Sequence, residues 1–167
     1  MPRPSELQVR AEQYLSLQGG GAKVKGLLGH GTDGAVWATT WDTAVKVFER
    51  DHGYFNERDA YQRLADFGVT EQIEGFWIPE MQGSDDELMV VEMDLMRYPP
   101  YIIDFAKVMI DRPPDFSPET LRDIEEQGRE LFEQNWPTVK LLMAALESYQ
   151  IYYLDPKPYN IVFPDEN

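Results

Sequence analysis

Apolar residues in the first half of the chain fall into short strand-like runs separated by glycine and aspartate. Val24, Leu27 and Leu28 precede a glycine cluster, and the runs 35–41 and 43–48 are rich in β-branched and aromatic residues, with Trp41-Asp42 near the turn between them. This pattern predicts three antiparallel strands. Residues 54–66 then place Phe55, Tyr61, Leu64 and Ala65 at helical spacing, and Gly68 supplies the C-terminal stop. Two more strands, 76–81 and 87–93, are expected on either side of a turn at Gly83-Ser84-Asp85-Asp86. The first half therefore reads as five strands and one helix. Ahead of it, residues 5–17 suit a short polar-faced helix ended by Gly19-Gly20-Gly21, an N-terminal appendage covering 1–21.

The second half changes period. Residues 101–110 are apolar and short, and Ser117-Pro118-Glu119 has the form of an N-cap followed by proline at the first helical position. Pro137 divides the helical pattern that follows into about 118–134 and 136–148, the latter turning Val139, Leu142, Ala145, Leu146 and Tyr149 inward. A segment from 151 to 163, apolar and broken by prolines, comes next.

Charge narrows the partners. Thirty acidic against fifteen basic residues give a net charge of −15, a field that repels nucleic acid and anionic membrane surfaces and admits basic proteins or peptides and Mg2+. The chain has no cysteine, which excludes disulfides, thiol nucleophiles and cysteine-type zinc sites. No signal-like or membrane-spanning run is seen, so a cytoplasmic location is expected. His30 and His52 each lie beside glycine, and both read as exposed loop residues rather than metal ligands.

Three segments carry candidate chemistry. Gly29-His30-Gly31-Thr32-Asp33-Gly34 has the spacing G-x-G-x-x-G, and a strand rather than a helix follows it, which favours a flap over nucleotide phosphates instead of a dinucleotide fold. Asp33 reads as a turn-former within that flap. Lys46 lies twelve residues beyond the last glycine, on the same strand face as Ala44, and Glu57 on the next helix is placed to pair with it and hold the ammonium at the α and β phosphates. Asp155-Pro156-Lys157-Pro158-Tyr159-Asn160 offers a carboxylate to orient a hydroxyl nucleophile, a cation against developing phosphate charge, and an oxygen ligand for Mg2+.

With D-x-K-P-x-N between Asp155 and Asn160, and the three segments in this order, the chain resembles the eukaryotic-type protein kinase superfamily over about residues 24–164. The resemblance implies an α+β, protein-kinase-like two-lobe fold. Its N-lobe, 22–93, would hold a five-stranded antiparallel sheet and one helix, and a reduced helical C-lobe, 94–167, would end after the catalytic loop. It further implies ATP binding by Gly29, Gly31, Gly34, Val36, Ala44, Lys46 and Val162, with Val91 as gatekeeper and the backbone of Glu92 and Asp94 facing adenine. Asp155, Lys157, Lys46 and Glu57 would be catalytic.

Nothing resembling D-F-G follows Asn160 before Asn167, so Asn160 is expected to be the sole protein ligand to Mg2+, and Tyr153-Leu154 replaces the usual His-Arg before the catalytic aspartate. The expectation is a minimal phosphotransferase that moves the ATP γ-phosphate to a hydroxyl of a protein or small molecule, slowly or with a partner completing the site. The alternative is a pseudokinase that serves as a binding module.

Overall fold

The computed structural model describes residues 4–105 and 107–165. Its fold is α+β. Strands β1 (Val24–His30), β2 (Gly34–Thr39), β3 (Thr43–Phe48), β6 (Met81–Asp85) and β7 (Val90–Asp94) form a five-stranded antiparallel sheet in the order β1-β2-β3-β7-β6. Helix α2 (Asp51–Asp66) joins β3 to the two-residue strands β4 (Gln72–Ile73) and β5 (Phe76–Trp77), which pair with each other. Beyond β7 lie β8 (Tyr101–Ile102) and β9 (Val108–Ile110). Helix α3 (Pro118–Phe132), a 3-10 turn (Glu133–Asn135), α4 (Trp136–Glu147), β10 (Ile151–Tyr153) and β11 (Ile161–Val162) follow. Ser117 caps α3 as its sequence suggests, its hydroxyl accepting from Thr120 N at 3.1 Å. No helix among the described residues is long and apolar enough to cross a membrane.

The inner face of the five-stranded sheet carries Ala44, Val91 and Met93 into a core shared with Tyr61 and Leu64 of α2 and with Val139, Leu142 and Leu146 of α4. On the outer face, helix α1 (Pro4–Gln18) covers Ala35, Trp37, Val45 and Val47 with fully buried Leu7, Ala11, Tyr14 and Leu15. The helix expected to be a polar-faced appendage thus has an apolar stripe at positions i, i+4, i+7 and i+8, laid on the sheet. Arg10 fastens it, donating to the carbonyl oxygens of Leu88 and Phe48.

Three expectations need correction. The fourth strand of the sheet is Met81–Asp85, not 76–81, and the turn lies at 86–89, where the Asp85 carboxylate accepts from Leu88 N at 2.8 Å and Met89 takes φ +50°. Phe76–Trp77 belongs to a separate sheet, ordered β11-β8-β5-β4. His52 lies in the first turn of α2, and His30 ends β1, although both are exposed.

Segments 101–110 and 151–162 run side by side in opposite directions. Ile102 faces Ile161 at one end, and Val108 faces Tyr153 at the other. Between these ends both chains leave the ladder, and two backbone bonds tie the bulges together: Ile103 N to Asn160 O and Leu154 N to Lys107 O, each 3.1 Å. The bulges carry Asp104 and Lys107 on one segment and Asp155, Lys157 and Asn160 on the other. The chemistry-bearing side chains of the second half thus share one ribbon.

Candidate functional site

A cleft of about 570 Å³ opens between this ribbon and the five-stranded sheet. The glycine segment forms its roof. Gly31 N donates to Gly34 O at 2.9 Å, closing the turn between β1 and β2. Gly34 has φ +145°, and a Cβ there would stand 2.0 Å from the carbonyl oxygen of Val47, so this position is fixed by close approach of two backbones. Gly34→Ala is therefore expected to lose about 1–3 kcal/mol of stability in urea unfolding. A loss within error of zero would show that the turn relaxes around a side chain. Gly29 and Gly31 line the cleft, with nothing within 4 Å of an added Cβ.

Lys46 reaches into the cleft from β3 beside Ala44 and Val36. Its Nζ donates to Glu57 Oε2 at 2.5 Å and to Asp104 Oδ1 at 3.1 Å, so one ammonium sits between two carboxylates. Burial opposes the Lys46 charge, but Glu57 and Asp104 outweigh it and hold its pKa above the usual lysine value. For Glu57, burial is the largest influence and pushes its carboxyl up. Lys46 opposes that rise, and the neighbouring Asp104 reinforces it. The pairing of Lys46 with Glu57 follows the sequence expectation, and Asp104 is the member that sequence reasoning did not include.

An aromatic column positions Asp104. Its neighbour Phe105 is fully buried, with Tyr61 of α2 edge-on at 5.0 Å and Tyr153 of β10 at 6.1 Å. The Tyr61 hydroxyl donates to Ile103 O at 3.0 Å. Side chains from α2 and β10 thus hold the peptide on both sides of Asp104. Burial raises the pKa of both tyrosines well above the usual value, so both hydroxyls stay neutral. The Tyr153 hydroxyl also engages the Asn160 side chain, and Asn160 lines the cleft together with Asp104.

Asp155 and Lys157 lie at the outer edge, outside the cleft lining. The Asp155 carboxylate forms an ion pair with Lys157 at 3.1 Å and accepts a hydrogen bond from Lys107 at 3.3 Å, and its side chain is one-third exposed. Lys107, unlike Lys157, lines the cleft.

Part of the purine-pocket assignment shifts. Val91 faces Lys46 across the ladder and is fully buried beneath the sheet, and Val162 pairs with Tyr101 without lining the cleft. Glu92, expected to contribute its backbone, is absent from the cleft lining, and its carboxylate accepts from Thr43 Oγ1 at 2.6 Å and from the Tyr14 hydroxyl at 3.1 Å. Asp94 does line the cleft, but its N–H is directed to Glu80 O at 3.0 Å. The connector wall is made by Met93, Asp94, Leu95 and Met96, so Asp94 lies on the cleft as expected and Met93, Leu95 and Met96 join it.

Asp104 and Asn160, which lie on the two segments of the ribbon, are among the oxygen donors that line the cleft, and among the described residues no three His, Asp or Glu side chains gather into a metal cluster. Few protein ligands, all hard oxygens, suit Mg2+, which keeps several waters and takes further oxygens from substrate phosphates. No family model matches the chain, and no curated protein matches it.

Proposed function

We propose that the chain is a kinase-like ATP-binding phosphotransferase, with the five-stranded sheet and α2 acting as the nucleotide-holding lobe and the helical second half as the lobe that receives the acceptor. The observation that supports this reading best is the Lys46–Glu57–Asp104 triad facing Asn160 inside a glycine-roofed cleft. Phosphoryl transfer uses a lysine held by a helix glutamate, an aspartate and an asparagine at metal-ligand positions, and a separate carboxylate for the acceptor. The Asp104-Phe105 pair matches the first two letters of the D-F-G motif but precedes the catalytic-loop sequence in the chain instead of following it.

In this reading Asp104 and Asn160 would hold Mg2+, which would supply charge neutralisation at the phosphates. Lys46 orients the α and β phosphates beneath the glycine flap. The acceptor hydroxyl approaches the exposed Asp155, which takes its proton as the oxygen bonds to the γ phosphorus. The bond from that phosphorus to the β-phosphate oxygen breaks, ADP leaves, and Lys157 offsets charge at the transferring group. The triad supplies two carboxylates to one ammonium, so a further cation beside Asp104 relieves an excess of buried negative charge.

Calorimetric titration of the intact chain with ATP, with and without Mg2+, tests the reading. Affinity should rise at least about tenfold when Mg2+ is present. No binding at millimolar ATP under either condition would overturn it, and binding without turnover towards any acceptor would leave a nucleotide-responsive binding module.

A further inference from the structure

We propose that Lys107 is a second phosphate-binding cation, one that leaves Asp155 for the terminal phosphate when a nucleoside triphosphate enters the cleft. The proposal rests on the nucleotide-binding reading above and adds a residue to it.

Lys46 and Lys107 are the two lysines that line the cleft, and they differ in every respect that matters for exchange. Lys46 has 9% of its side chain exposed and is locked between two carboxylates. The Lys107 side chain is 48% exposed, and its hydrogen bond to Asp155 is 3.3 Å long, beyond the usual range for a charge-assisted bond. An exposed pair of this kind contributes little to stability, so breaking it costs little. The backbone of Lys107 does not share that freedom, because its carbonyl accepts from Leu154 N and its neighbour segment is held by the aromatic column. A fixed stem with an exchangeable ammonium suits a group that changes partner.

Two further charges give the exchange a direction. Asp33, in the glycine roof, also lines the cleft, and its negative charge acts on Lys107. Burial alone would lower the Lys107 pKa, but the bond and charge of Asp155, with the charge of Asp33, outweigh it and raise the value. A carboxylate in the roof would repel entering phosphates, and a cation lying between roof and floor cancels that repulsion. On the other side, Asp155 keeps Lys157 at 3.1 Å when Lys107 departs. The base is thereby uncovered on one flank, ready for an acceptor hydroxyl, only when a long polyphosphate has drawn Lys107 away. Discrimination should follow phosphate number: a monophosphate held at Lys46 would not extend to Lys107.

The test compares the intact protein with Lys107→Gln and Lys107→Arg in calorimetric titrations with ATP, ADP and AMP, with thermal unfolding run alongside. The glutamine variant should bind ATP about tenfold more weakly and AMP unchanged within about twofold, and arginine should recover most of the ATP affinity. Equal losses for ATP and AMP, or an unchanged ATP affinity, would overturn the role of Lys107. Failure of the unsubstituted protein to bind ATP would overturn the underlying nucleotide reading instead.

Discussion

Asp104→Asn should leave the fold intact, abolish the Mg2+-dependent gain in ATP affinity, and lower ATP turnover at least about a hundredfold. The amide still offers an oxygen to Lys46, so the hydrogen bond seen at 3.1 Å can persist. What disappears is one negative charge facing the cation position. Glu57 should benefit, because the carboxylate that helps push its pKa up is gone. The substitution thus separates two roles that most changes in a cleft combine, and unfolding stability should be unchanged or slightly raised. ATP titrations at several Mg2+ concentrations, with ADP release followed over hours, provide the measurement. A variant that keeps both its Mg2+ response and its turnover would remove Asp104 from the metal site, leaving it a structural partner of Lys46.

Lys46→Met carries the largest expected cost to stability. Removing the ammonium leaves Glu57 fully buried and Asp104 beside it, two carboxylates without their shared cation. Breaking a buried pair from one side costs about 3–5 kcal/mol. The cost should depend on pH with a definite sign. Without Lys46, burial and Asp104 both raise the folded-state pKa of Glu57 above its unfolded value, so stability falls as pH rises above the unfolded carboxyl range and recovers as pH falls back towards it. Urea unfolding of the variant should therefore show a smaller deficit near pH 5 than near pH 7. Adding Glu57→Gln should restore most of the lost stability at neutral pH, yet ATP binding should stay absent in both variants. Recovery of binding in the double variant would mean that Lys46 serves the fold and not the phosphates.

The parts of the fold most legible in the sequence are those whose residues answer to neighbours close in the chain. Strands β1 to β3 and helix α2 were recoverable from alternation, from helical spacing and from Gly68, which takes φ +76° at the helix end. The β6–β7 hairpin was displaced because Gly83 and Ser84 resemble turn residues although they sit in a strand. Gly83 is there because a Cβ would come within 2.5 Å of the Tyr14 hydroxyl, a constraint imposed by a helix some seventy residues away in sequence. Leu7, Ala11, Tyr14 and Leu15 did carry a helical stripe, but the polar residues between them made it read as surface.

The site divides in the same way. Lys46, Glu57 and the glycines lie within thirty residues of one another, and their spacing could be read directly. Asp104 could not be placed by spacing, because its relation to Asn160 arises from the pairing of two distant segments and the ladder that joins them. Ile103-Asp104-Phe105 was nevertheless present as an aspartate and an aromatic residue after a short apolar run.

The same order of segments bears on how the chain is made. Lys46, Glu57 and Asp104 all precede residues 151–162 in the chain, so their ion cluster and the sheet that holds it can assemble before that segment is free to fold. Until then β8 lacks its partner β11 and β9 lacks β10, and Phe105 lacks one of its two ring neighbours. Residues 151–162 thus complete the ribbon by strand insertion: they close two open edges and, in the same movement, bring Asp155 and Asn160 alongside Asp104.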